Sequence, residues 1–444
     1  MSPGPTPPAR VATAQAAFAL AVVGTAVAAA LFAMVWNRSL TLFYRHCFGS
    51  EGVVASFVAF PDWARLVAPV IGGFAMGLVT RWVHTRSYAH GVGGVMEASV
   101  LGRVHLSVRG TLSRVTAAWL ALAGGASVGR EGPLIQMGGA LGQRAGEALG
   151  VSPDRTRILV ASGAAAGFAA AYNTPFAAVL FVLEVILAVA AKEAIAAAMA
   201  GAAIATLITR AVGPPGPIYG ARAFTLASPY ELGAYVVLGL VAAPLAVGFR
   251  AWLGASERGF ARLPFGQPWR GALGGAVVGL LAMGAPAVVG NGHQPLNALL
   301  DGNVPVAAVL TLLFAKALAT CSSVGSGTPG GIFTPTLLLG GSVGLLGGHA
   351  LAALGWIAPD AAGSYALVGM AAFTAATTHA PLLAAVMVFE LSGDYAVVLP
   401  LIVACATATL VAARLRPDSI YVEELQRRGV IWEVTMEGRR VESR

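Results

Sequence analysis

Pro133-x4-Gly138-Gly139-x2-Gly142 recurs as Pro335-x4-Gly340-Gly341-x2-Gly344, an offset of 202 residues (133 to 335). Further along, PFAAVLFVLE, ending at Glu184, recurs as PLLAAVMVFE, ending at Glu390, an offset of 206 (184 to 390). Two motifs paired in register at nearly equal offsets make the chain one duplicated unit, with halves near 60–211 and 232–413. The fold must therefore accommodate two copies of one pattern. Repeat-built transporters place their substrate site between the copies, near the membrane midplane.

The pattern is a membrane pattern. The 444-residue chain is 57% hydrophobic and only 11% charged, where a soluble domain carries about 25% charged residues. The first apolar run, 11–36, is too long for a signal-peptide core and reads as a spanning helix. Further apolar segments lie near 64–82, 112–126, 133–149, 157–171, 174–190, 194–211, 232–253, 270–290, 304–320, 335–356, 364–378, 381–391 and 394–413. Several fall short of the roughly 20 residues a spanning helix needs, and several are interrupted by Gly or Pro. Such segments end inside the protein and line a polar cavity. The expected fold is an all-α polytopic membrane protein with broken helices, packed through small residues, of which 56 are glycines. Residues 1–10 and 426–444 read as tails of a transmembrane domain spanning 11–425.

The net charge of +8 gathers at the chain ends and in short loops. Arg414, Arg416, Arg427, Arg428, Arg439, Arg440 and Arg444 assign the C-terminus to the cytoplasmic side. Nucleic-acid binding does not fit, because no aromatic-basic groove accompanies the charge. Cys47, Cys321 and Cys405 form no motif and read as packing residues.

Three glycine-rich stretches read as starts of half-helices: Ala89-His90-Gly91-Val92-Gly93, Gly129-Arg130-Glu131-Gly132-Pro133 and Gly330-Gly331-Ile332-Phe333-Thr334-Pro335. Proline suits the first turn of a helix, and glycine admits close backbone approach. The free amides of such a start attract anions. They do so with partial charge, so a bound anion also leaves, as conduction requires. Glu131 stands among these amides, and an ionisable residue at membrane depth is a functional candidate. No Gly-Lys-Ser/Thr follows the glycines, which excludes a phosphate loop. No HExxH, GxSxG or paired-Asp motif is present, so neither enzyme chemistry nor a metal site is expected.

In order and spacing these stretches resemble the pore signatures of the CLC chloride channels and chloride/proton antiporters (GSGIP or GHGVP, GREGP and GxFxP), over residues about 60–425. The resemblance implies a CLC-type architecture of two inverted halves with broken, tilted helices. It also implies a homodimer with one anion pathway per subunit, chloride as the bound and transported ion, no cofactor, and a bacterial inner (plasma) membrane location. Glu131 resembles the external gating glutamate. Ile332 and Phe333 resemble the residues whose amides face the central anion, and Tyr421 the tyrosine whose hydroxyl completes that site; otherwise Tyr421 is an interfacial aromatic. Gly129, Arg130, Gly132, Pro133, Gly331 and Pro335 complete the pore motifs, with Arg130 holding the local turn through an ion pair. Tyr421 with the GGIFTP stretch argues against the fluoride-exporting branch. Too few residues follow Tyr421 for a pair of regulatory CBS domains.

The chain departs from the family pattern twice. His90 stands at the serine position of the first motif and Gly93 at its proline. His90 either donates a hydrogen bond to the anion, and a charge when protonated, or merely caps the helix. Val185 stands where many antiporters carry the second glutamate of a pair, leaving Glu184 as the remaining candidate for an internal proton path. The loss favours a channel or weakly coupled transporter; the alternative is a chloride/proton antiporter with an atypical proton route. Glu390 reads as a helix-end partner mirroring Glu184. Lys316, Arg114 and Arg103 read as anion-steering or loop-end residues, and Glu97 as a first-turn capping carboxylate.

Overall fold

The protein is described by a computed structural model over residues 8–82, 91–102, 104–188, 191–213, 216–220, 224, 226, 228–435 and 438–443. The first half comprises α1 (Pro8–Phe48), α2 (Val53–Ala59), α3 (Asp62–Trp82), α4 (Gly91–Val100), α5 (Val108–Ala123), α6 (Glu131–Ala148) and α7 (Pro153–Tyr172). It closes with α8 (Pro175–Leu180), which runs into a π-helical stretch, Phe181–Leu187, and with α9 (Lys192–Val212). The second half comprises α10 (Glu231–Ala261), α11 (Gln267–Gly284), α12 (His293–Leu300), α13 (Val306–Gly325), α14 (Phe333–Ala353), α15 (Ala362–Thr378), α16 (Pro381–Ser392) and α17 (Val398–Leu415). After the halves come α18 (Ile420–Arg427) and an antiparallel hairpin of β1 (Val430–Thr435) and β2 (Gly438–Ser443). The tail read from sequence thus begins in the last turn of α18 and carries a hairpin.

Among the described residues, seven helical stretches are long and apolar enough to cross a bilayer. The protein is an all-α, multi-pass integral membrane protein. Its broken segments are short. α16 has 12 residues and so rises about 18 Å, against a hydrocarbon core of about 30 Å. The 270–290 run breaks at Gly284, and Pro286–Val288 forms a single 3-10 turn. α2, α12 and α18 are absent from the apolar periodicity because they are 7 or 8 residues long. Glu97 lies well inside α4 rather than in its first turn.

The duplicated motifs do the same packing work in both halves. Gly138 and Gly142 of α6 press on the carbonyls of Gly163 and Leu159 of α7. Gly340 and Gly344 of α14 press on those of Gly369 and Tyr365 of α15. A Cβ at any of the four would overlap a carbonyl oxygen. Each pair ends alike, in a left-handed residue, Asn173 (φ 58°) or His379 (φ 54°). A proline then opens the next short helix, at Pro175 or Pro381.

Those short helices exchange caps across the repeat. Glu184 Oε1 and Oε2 accept from the amides of Leu382 (3.2 Å) and Leu383 (2.7 Å) at the start of α16. Glu390 Oε1 and Oε2 accept from Phe176 (3.1 Å) and Ala177 (2.8 Å) at the start of α8. The first amides of a helix lack intrahelical partners, and hydrocarbon supplies no water to replace them. Each half therefore satisfies the helix start that the other leaves open.

Gly344→Leu should lower the thermal midpoint in detergent markedly, by the overpacking cost of about 1–3 kcal/mol or more. Gly347→Leu, where an added Cβ meets only Leu238 Cδ1 at 3.8 Å, should change it far less. Equal midpoints for the two variants would contradict the glycine-seam account.

Candidate functional site

Two loops that are equivalent in the repeat meet each other. The Gly129 amide donates to the Gly331 carbonyl (2.6 Å), and the Gly331 amide donates to the Gly129 carbonyl (2.8 Å). The residues are 202 apart (129 to 331), the same offset as the proline motif. This two-bond bridge draws the N-termini of α6 and α14 together. Both positions require glycine for a local reason, since a Cβ on either would overlap the Glu131 carboxylate.

Glu131, the first residue of α6, sends that carboxylate onto the start of α14. Its Oε1 accepts from the amides of Phe333 (2.8 Å) and Thr334 (3.2 Å), and its Oε2 accepts from the Thr334 hydroxyl (3.2 Å). The residue is 2% exposed. The Tyr172 hydroxyl lies 2.7 Å from Thr334 Oγ1 and extends the network. Phe168 and Tyr172 close around the Phe333 ring, and Phe168 and Phe181 continue the aromatic wall to Tyr421.

A carboxylate this buried is costly unless donors surround it. Here the donors are amides at the positive end of a helix and one hydroxyl, which give short-range, charge-assisted bonds. A cation is not among them. Arg130 turns the other way, donating to Asn37 Oδ1 (3.2 Å) and the Ala171 carbonyl (3.4 Å). The ion pair expected from sequence is thus replaced by neutral acceptors. A small anion placed where the carboxylate sits would find the same three donors.

A cavity of about 490 Å³ opens beside Glu131, and Ile332, Tyr421, Gln136, Arg114 and Glu424 are among its walls. Tyr421 is delivered there by α18, whose start is capped by Ser419 Oγ accepting from Val422 N (3.2 Å). Arg250 of α10, its side chain fully buried, pins α18 by donating to Glu423 and to the Asp418 carbonyl. Arg130 instead lines a separate cavity of about 190 Å³ with Asn37, Glu51 and His293.

The structure gathers Glu131, Gly132, Pro133, Gly331, Ile332 and Tyr421 around the larger cavity. Phe333 is beneath it, its amide taken by Glu131, and Pro335 lies in the first turn of α14. His90 and Arg103 lie outside the described residues. Glu184 and Val185 are not among the described residues lining that cavity. Both Glu184 oxygens accept from α16, and Val185 is buried. Lys316 is neither at a loop end nor in the cavity wall; it is buried in α13 and donates to the carbonyls of Val288 (2.9 Å) and Gly290 (2.7 Å). Sequence reading missed Thr334, Tyr172, Gln136 and Glu424. Only Thr334 carried a signal, a hydroxyl in the first turn of a motif helix; the others arrive from distant elements.

The sequence profile of the family described as "Voltage gated chloride channel" matches residues 72–413. A protein of Ralstonia nicotianae named as a ClcB-like chloride channel protein is 39% identical over 384 residues, 85% of this chain and 89% of its own length. ClcB of Citrobacter koseri, named a voltage-gated ClC-type chloride channel, is 33% identical over 86% of this chain and 91% of its own. The crystal structure of a slow cyanobacterial Cl⁻/H⁺ antiporter superposes with a TM-score of 0.82 at 25% identity, covering 93% of this chain and 98% of that one. A CLC-type fluoride/proton antiporter shares the fold, with a TM-score of 0.76 at 22% identity.

If the Glu131 carboxylate and a free anion compete for the same donors, Glu131→Ala should gain halide-dependent stability. Its thermal midpoint should rise with chloride more steeply than that of the unaltered protein, toward about 2.7 kcal/mol at 100 times Kd. A chloride-independent midpoint in the variant would rule the competition out.

Proposed function

Since the chain belongs to the voltage-gated chloride channel (CLC) family, we propose that it passes chloride and similar monovalent anions across a bacterial plasma membrane, with Glu131 as the gate. The observation that carries this reading is the carboxylate of Glu131 on the amides of Phe333 and Thr334 and the Thr334 hydroxyl. With the carboxylate there, the helix end is filled. When it is protonated or displaced, three donors face the cavity and a chloride takes its place. Amide dipoles hold that ion by partial charge, so it also departs. The Ile332 and Phe333 amides, the Tyr421 hydroxyl and His90 complete the central site; Gly129, Gly132, Pro133, Gly331 and Pro335 shape its approach, and Arg130 anchors that loop from the opposite side through Asn37 and Ala171. Arg114 and Arg428, in the wall of the larger cavity, raise the local anion concentration.

The transport domain spans residues 11–425, and the arginine-rich C-terminus faces the cytoplasm. A second copy docks on the membrane face of α9 and α17, where Met199, Leu207, Ile402 and Leu410 are exposed apolar residues. Each subunit keeps its own pathway. The protein works as a transporter without a cofactor, not as an enzyme. Val185 offers no proton to carry, and a route through Glu184 would first have to release the two amides of α16. Channel-like or weakly coupled chloride movement follows.

The test is chloride efflux from proteoliposomes with simultaneous proton recording. The unaltered protein should pass chloride without stoichiometric uphill proton movement. Glu131→Ala should keep the flux and lose its dependence on pH. Uphill proton movement in fixed ratio would give the antiporter reading instead; an unchanged pH response in Glu131→Ala would remove Glu131 as the gate.

A further inference from the structure

We propose that Glu424 is a second gate in the same cavity, whose carboxylate covers the start of α4 as Glu131 covers that of α14. The proposal rests on the anion-transport reading. Glu424 lies on α18, three residues after Tyr421, and both residues line the cavity that holds Glu131. Its carboxylate packs against Gly93 in the first turn of α4. The Gly91 amide of the same turn is taken by Gln136 Oε1 at 3.1 Å. One third of the Glu424 side chain remains exposed, so the carboxylate is reachable by an ion in the cavity.

The fit is close. A Cβ added at Gly93 would lie 3.1–3.4 Å from all three atoms of the carboxyl group. Glycine at this position therefore leaves the space that the carboxylate fills. Arg428, at the C-terminal cap of α18, donates to Glu424 Oε1, and Arg114 of α5 lines the same cavity. Arg428 thus holds the carboxylate where it meets Gly93, and Arg114 offers a second guanidinium in the same cavity when it moves away. While it stays, an anion moving past Tyr421 meets a like charge at the start of α4. Glu424 has no counterpart in the duplicated motifs, because α18 follows the second half. The second gate is thus an addition to the repeat, not a product of it.

The test uses the full-length protein in proteoliposomes, with chloride flux and proton movement recorded together. Glu424→Gln keeps the shape and removes the charge. Gly93→Ala presses on the carboxylate at its seat and leaves Glu424 itself intact. Both variants, once monodisperse by gel filtration, should pass chloride several-fold faster at low chloride, and should do so also on a Glu131→Ala background. Unchanged or slower flux in both would overturn the proposal. So would loss of proton movement at unchanged chloride flux, which would make Glu424 a proton carrier. Absence of chloride flux in the unaltered protein would instead remove the underlying transport reading, so the two failures are distinguishable.

Discussion

The backbone amides at helix starts buried inside the protein are the constraint on which this structure depends. A helix that stops inside a membrane leaves its first amides without partners, and the surroundings offer no water. The protein meets this by aiming side-chain oxygens from elsewhere in the chain at those amides. Glu131 serves α14, Glu390 serves α8, Glu184 serves α16, and Gln136 serves α4. Each of these bonds joins sequence-distant segments, so local helix ends and global topology are specified together.

The duplication makes the solution economical. Glu184 and Glu390 cap each other's neighbours, and Gly129 and Gly331 bond to each other directly. Glycine seams at Gly138 with Gly142, and at Gly340 with Gly344, bring α6 onto α7 and α14 onto α15 at backbone distance. Without those seams the helix starts could not converge. The one asymmetric step is Glu131, whose equivalent position in the second half is Phe333 (131 to 333). A single carboxylate therefore bridges two starts, where a symmetric pair of glutamates would repel each other at close range.

The helix starts differ in how tightly they are closed. The caps on α8 and α16 are two-oxygen, two-amide arrangements at the ends of a packed pair, and they read as structure. The carboxylates of Glu131 and Glu424 border a cavity large enough for ions and water. There the same chemistry that satisfies an amide also imitates a bound anion, so a cap can double as a gate.

The sequence by itself determined the membrane class, the duplication, the half-helix starts and the place of Glu131 among them. Each is written locally, as apolar runs, repeated spacing or a charge set among glycines. It also placed Ile332 and Tyr421 in the pore region, through resemblance to a family. Tertiary structure alone decided which oxygen serves which amide. Thr334 and Tyr172 join Glu131 only once distant helices pack, and Glu424 meets Gly93 only where α18 packs on α4. Arg130 and Lys316 likewise found carbonyl partners that no local pattern announces. In a chain this poor in charge, these polar side chains take the partners that the packing of distant helices brings within about 3 Å, and no spacing along the sequence encodes that meeting.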